Sequence, residues 1–517
     1  MPEPSPTTPP DFNILPESGS STPWQVDPPA ATSQRDTPDR GTPRSRIIAT
    51  IAAVLAILAV MTTQQIGAFQ SEKPATQEAG TAIQPPQEGD SFLMMSGILV
   101  RVANVLKSMS PNNRLDSMNA GTLITQVEEA AATPEDHFRA LVVAAEIGGL
   151  EGTDERIDRA LKDKKIEYPG SQEDVDALRA ITAGHTPSPE QQASLRERHG
   201  YFGRLALTLG KPDTDPARAP YTRGGAAIMG FFVAVGGLLL AVGAASLVCF
   251  VIMIVRLSAG KVRPAFVPPA PGGSVYLEMV ALMAGSFLFL QVVLGVLGAK
   301  MFSKEHPPTE AFKIFSLSCH WLLVATLFWP VLRGTPWKEH RQRLGWTSGK
   351  GVLREAGAGV FAYLSSLPLL IGAMVITALL VMAYDLISKQ MGHDAGPPQN
   401  EIAELLGTGS PALLAMLFVL ATVWAPLVEE AIFRGALFRH LRSRWGMWAA
   451  ALVSALAFGS MHGYMVFLLL PVITLGFVFA LMREWRGSLI ASMVVHGLHN
   501  GTVLVLAITL FSLLRPE

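Results

Sequence analysis

From Gly224 to the C-terminus, apolar stretches long enough to cross a bilayer follow one another almost without pause. They lie near 225–255, 276–298, 312–332, 357–387, 411–434, 447–464, 465–482 and 488–513, and a shorter aliphatic run begins at Ile47. A chain built this way cannot gather into one soluble core. The composition agrees: 49% of residues are hydrophobic, 16% are charged, and the mean hydropathy is +0.32. The expected fold is all-α, a polytopic transmembrane helix bundle with an N-terminal anchor span and a small helical extramembrane domain.

Charge excludes some functions and orients the chain. The 41 basic and 42 acidic residues leave a formal charge of -1, so no bulk excess attracts nucleic acid. Cys249 and Cys319 each sit in an apolar run and cannot form a disulfide framework or a cysteine metal cluster. Basic residues collect in alternate loops: Arg256, Lys261 and Arg263; Arg333 to Arg354; Arg439, Arg442 and Arg444; Arg483 and Arg486. Such loops belong on the cytoplasmic side. Nine spans result, with the N-terminus inside and the C-terminus outside, in what is expected to be a bacterial cytoplasmic membrane. Lys300 and Lys304 dilute this pattern, whereas the loop with His393, Asp394, Pro397, Pro398 and Glu401 follows it.

The chain divides accordingly. Residues 1–46, rich in Pro, Ser, Thr and Asp, read as a disordered cytoplasmic tail. Residues 47–66 form a membrane anchor behind Arg40, Arg44 and Arg46, short enough that signal cleavage is the alternative. Residues 67–223 form an extracytoplasmic linker and helical domain, with helix starts at Thr133, Thr153, Ser171 and Ser188. It carries no nucleophile and base constellation and suits a spacer or a partner-docking role. Residues 224–410 are further spans, and 411–513 hold the chemistry.

Within that last region Glu429 and Glu430 stand side by side in a membrane helix, where carboxylates face a protein interior or a cavity. Glu430 and Arg434 are spaced for an ion pair on one face. Glu429 points about 100° away, toward another helix, and a buried carboxylate with no cation beside it suits a general base. Phe458 and His462 share a face of a later span, as do His496 and Asn500 of the last. Three helices thus present polar groups inward. His320, alone in its span, reads as a packing residue.

The segments EEAIFRG at 429–435, FGSMH at 458–462 and HGLHN at 496–500 resemble the three motifs of the CAAX protease and bacteriocin-processing (CPBP, or Abi) family, which includes the type II CAAX prenyl endopeptidase. The resemblance runs from about 411 to 510, with LGWTSGKGVLRE near 344–355 similar to a helix entry of many members. It implies an intramembrane endopeptidase acting on a membrane-associated protein or peptide. Glu429 would activate water, His462 would hold that water or the base, and His496 with Asn500 would contact the oxyanion. Glu430, Arg434 and Phe458 would support them. His499 is an alternative partner on the last helix. Members are often labelled metalloproteases, and Glu429, His462 and His496 could ligate Zn2+, but no HExxH spacing is present. A metal-free glutamate mechanism is favoured. The competing readings are a non-proteolytic scaffold or immunity protein and a proton-coupled transporter.

Overall fold

The computed structural model describes residues 36–71, 91–109, 117–212, 214–222, 225–303, 306–391, 409–464 and 466–514. Every regular element among them is helical, and the one β-type contact is an isolated bridge between Asp36 and Pro269. Helix α1 (Pro43–Ser71) is the anchor. The extramembrane helices are α2 (Ser91–Met109), α3 (Ser117–Ala130), α4 (Pro134–Gly148), α5 (Thr153–Lys162), α6 (Ser171–Thr182), α7 (Pro189–His199) and α8 (Tyr201–Ala206). Then come α9 (Gly225–Ser258), α10 (Val275–Met301), α11 (Glu310–Leu332), the short α12 (Trp337–Leu344) and α13 (Val352–Gln390). The last four are α14 (Pro411–Arg442), α15 (Met447–Ser460), α16 (Leu469–Arg486) and α17 (Ile490–Leu514). The protein is an integral, multi-pass membrane protein.

Local sequence explains the extramembrane starts. Thr133 caps α4 by accepting from the Asp136 amide, and Ser188 forms a capping box with Gln191 ahead of α7. At α5 and α6 the helix begins on Thr153 and Ser171 themselves, because the preceding Gly152 and Gly170 adopt φ of +75° and +87° and turn the chain in. These helices enclose a core of their own around Phe138, Phe202, Leu178 and Leu195.

Two expectations change. Among the described residues eight helices are long and apolar enough to span, not nine, because the stretch expected at 447–464 yields a helix of only 14 residues before the chain turns at Met461. Residues 36–46, which the sequence reading placed in the disordered tail, are held against the bundle. Asp39 takes Arg439 through both carboxylate oxygens (3.2 Å each from Nε) and Arg343 at 3.1 Å, and Asp36 reaches Arg439 at 3.0 Å. The cause is electrostatic: both arginines are buried, and a buried cation needs a partner. Residues 1–35 of the tail, most of the 67–90 linker and the 392–408 loop lie outside the described residues.

The same arginines locate one end of the bundle. Arg442 pairs with Glu484, Arg486 with Glu355, and the Arg483 guanidinium donates to the Arg343 carbonyl. Residues 265 and 266 donate their amides to the Glu484 carbonyl. The basic loops therefore meet at one end, from which α1 starts and at which α9 finishes. The helical domain between these two helices joins the bundle from the other end.

Candidate active site

The site is carried by α14, α15 and α17, and α14 is distorted where it matters. It runs as π-helical turns at Leu420–Trp424 and again at Glu430–Leu437. Such turns gather at functional sites because they break the α repeat and redirect side chains. The first has a visible cause. The Ala425 amide goes to Leu420, five residues back, and residue 426 is proline, so the Ala421 carbonyl loses its helical donor. Asn500 of α17 supplies one, its Nδ2 donating to Ala421 at 2.9 Å. The approach needs Gly497, where a Cβ would stand 2.9 Å from the Thr422 carbonyl oxygen.

Glu430 and Arg434 are fully buried and paired at 3.0 Å. The guanidinium also donates to the Gly476 carbonyl of α16 at 3.1 Å and lies 4.2 Å from the centroid of the Phe458 ring. Gly476 permits this, since a Cβ there would meet Phe458 at 2.9 Å. Phe458 is thus the centre of the packing, with the His462 ring 4.8 Å away and the His496 ring 6.0 Å away. Phe479, on the same helix as Gly476, closes on His496 from another direction at 5.4 Å.

The two histidines have fixed tautomers when neutral. His462 donates Nδ1–H to the Phe458 carbonyl at 2.9 Å, and His496 donates Nδ1–H to Glu430 at 3.1 Å. Each keeps Nε2 for another partner. Glu429 is half-buried, its Oε2 lies 3.9 Å from His496 Nε2, and that oxygen has no hydrogen-bond partner in the protein. Glu429 and His462 line a common cavity of about 120 Å³ with Trp424, Phe433 and Met461.

The structure therefore brings Glu429, Glu430, Arg434, Phe458, His462 and His496 together, with Asn500 one turn beyond His496. His499 is held elsewhere, hydrogen-bonded at 2.6 Å to Tyr363 of α13. His320 bonds the Ser316 carbonyl at 3.1 Å and packs on Trp424. Among the described residues no three His, Cys, Asp or Glu side chains are placed to hold a metal ion. Glu429, His462 and His496 do not form a ligand set in this arrangement. Sequence reasoning missed Gly476, Phe479 and Gln64. The last comes from α1, and its Nε2 donates to the Met461 carbonyl at 3.1 Å. None belongs to the Glu-Glu, Phe-His or His-Asn spacings that mark the three helices in the sequence.

The extramembrane domain buries a second polar cluster, in which His199 meets Asp174 at 3.0 Å and Tyr168 donates to the same carboxylate. Burial pushes the His199 imidazole below its ordinary value, against the pull of Asp174. The cluster ties α6 to α7.

Residues 411–502 match the type II CAAX prenyl endopeptidase Rce1-like family. This stretch is 92 of the chain's 517 residues and includes α14, α15 and the first half of α17, so the match does not reach α1 or the extramembrane domain. An uncharacterized 24.3 kDa protein of Escherichia coli is 30% identical over 133 residues, which is 25% of this chain and 58% of that protein. The chain thus spans somewhat over half of that relative's length. No solved structure matches. The Rce1-like match supports a peptidase of the CAAX type working within a membrane.

Proposed function

We propose that the Rce1-like region hydrolyses a peptide bond of a membrane-associated substrate by a water that Glu429 activates. The observation that carries the reading is the Glu429 carboxylate, whose Oε2 has no hydrogen-bond partner, and the His462 imidazole, whose Nδ1 is taken by the Phe458 carbonyl, both lining one cavity. A water there gives one hydrogen to Glu429 and the other to His462 Nε2, which leaves a lone pair for the substrate carbonyl carbon. Glu429 takes the proton as the bond forms and passes it to the leaving amine. His496 as imidazolium, supported by Glu430, faces the oxyanion through Nε2–H. Asn500 has given one amide hydrogen to Ala421 and keeps the second for the same oxygen. With His496 charged, Glu429 and Glu430 balance Arg434 and His496, so the site is neutral overall. No step runs through a metal, since the side chains do not gather around one point.

The basic end is proposed to be cytoplasmic, with 67–223 outside. The test of the chemistry is Glu429→Gln, which keeps size and hydrogen bonding. Cleavage of a membrane peptide should fall on the order of 10²- to 10⁴-fold with insertion unchanged. Equal turnover per folded molecule would remove Glu429 as the base. Stoichiometric zinc in active protein, with activity lost on chelation and restored by zinc, would overturn the metal-free route.

A further inference from the structure

Glu429, His496 and His462 are not held alike. The first two sit within helices, whereas His462 lies just past the end of α15, on the turn that begins at Met461. The chain there is fastened to its own helix by short-range bonds. The Met461 amide donates to the Phe458 carbonyl at 3.2 Å and the His462 amide to the Gly459 carbonyl at 3.0 Å. Both reach back three residues, the pattern with the poorer hydrogen-bond geometry. A side chain carried on such a turn is placed less precisely than one on a helix, yet His462 has to meet Glu429 across a cavity.

Helix α1 reaches this turn from outside the Rce1-like region, with Gln64 Nε2 donating to the Met461 carbonyl at 3.1 Å. Carbonyls at a helix end lack intrahelical donors, and within a bilayer water does not replace them. The bond also has a geometric effect. The Met461 carbonyl and the His462 amide belong to one rigid peptide plane. Gln64 holds that plane by its oxygen and Gly459 by its nitrogen, so the position of the His462 Cα is set from two sides. The Gln64 side chain then runs past Gly463, where a Cβ would stand 4.0 Å from its Cβ, Cγ and Cδ. Helix α1 is itself anchored. The Ser45 and Ser274 hydroxyls meet at 2.7 Å, and Ala49 and Ala53 are buried in a core shared with α10 and α14.

Resting on the endopeptidase reading, we infer that Gln64 is a positioning residue for His462, and that α1 is a working part of the site although the Rce1-like match does not reach it. Gln64 acts through the backbone: among the described residues the cavity wall includes Met461 and His462 but not Gln64. Its loss should therefore lower kcat and spare KM. A misplacement of 1 Å in a catalytic constellation costs about 10²-fold in rate.

The experiment uses the full chain in nanodiscs, a fluorogenic membrane peptide bearing farnesyl-cysteine, and NMR of nitrogen-labelled histidine, with the His462 ring signal assigned by its loss in His462→Ala. Gln64→Met keeps the length of the side chain and removes the donor. It should shift the His462 ring signal and leave that of His199, in the extramembrane domain, in place. It should also lower kcat by roughly 10- to 10²-fold per folded molecule, with KM unchanged. Thr63→Ala is the control. It removes a hydroxyl that donates to the Val60 carbonyl within α1, and it should leave both signal and rate at wild type. A displaced His462 signal in Gln64→Met, with no cleavage by wild type, would sink the endopeptidase reading and leave the tie from α1 standing. An unmoved His462 signal would overturn the inference. So would an undiminished kcat in a protein that cleaves, a loss carried by KM, or an equal response to Thr63→Ala.

Discussion

At the scale of the residue, two neighbouring glutamates have been given different surroundings. Glu430 is fully buried between Arg434 and His496, whereas Glu429 lines the cavity and its Oε2 has no hydrogen-bond partner in the protein. Glu430→Gln should strand the Arg434 cation, and breaking one side of a buried pair costs about 3–5 kcal/mol. Lower thermal stability in detergent is the expected result, and Glu430→Gln with Arg434→Gln should recover part of it. A fully stable but inactive Glu430→Gln would move the base one residue along. The sequence disclosed the pairing of Glu430 with Arg434, because that contact is local. The contacts of His496 with Glu430 and of Arg434 with Gly476 were not legible there. They depend on how three helices pack, and a glycine in an apolar helix carries no mark of the guanidinium it admits.

At the scale of the element, Pro426 and Asn500 form a complementary pair although they lie on different helices. The proline removes a backbone donor inside a membrane helix, and the asparagine restores one from α17. Asn500→Ala should leave the Ala421 carbonyl unsatisfied and lower stability by about 1–3 kcal/mol. In a Pro426→Ala background, where residue 426 regains its N–H, the same change should be milder. A thermal double-mutant cycle measures the difference, and strictly additive effects would contradict the pairing. This also shows where sequence reading stopped. HxxxN marks a helix face, yet only the π-helical turn in α14 gives Asn500 a backbone partner. A π turn has no signature in hydropathy.

At the scale of the whole molecule, the spans were mostly legible because twenty apolar residues are a coarse signal. The strap before α1 was not, since Asp36 and Asp39 sit in a Pro- and Thr-rich stretch and their arginine partners are some 300 to 400 residues away. The convergence of the basic loops yields a topology prediction. Reporter fusions at residue 150 should read extracytoplasmic and fusions after Arg444 cytoplasmic. A cytoplasmic signal at 150 would reverse the bundle.

Helix α15 has a further consequence for the surrounding lipid. At 1.5 Å per residue its 14 residues span about 21 Å. The hydrocarbon layer is about 30 Å thick. The helix is not shielded: Trp448, Leu452 and Leu456, four residues apart along one stripe, are 61%, 48% and 46% exposed. Where acyl chains meet this stripe they have to shorten or tilt, and the expected result is a bilayer thinned beside the helix end that leads into His462. The membrane thereby acts on the site. Longer-chain lipids raise the energy of that dimple and pull on the turn after Ser460, and cleavage per molecule should fall as acyl chains lengthen across a reconstitution series. A flat response would mean that other proteins or helices, and not lipid, cover the stripe.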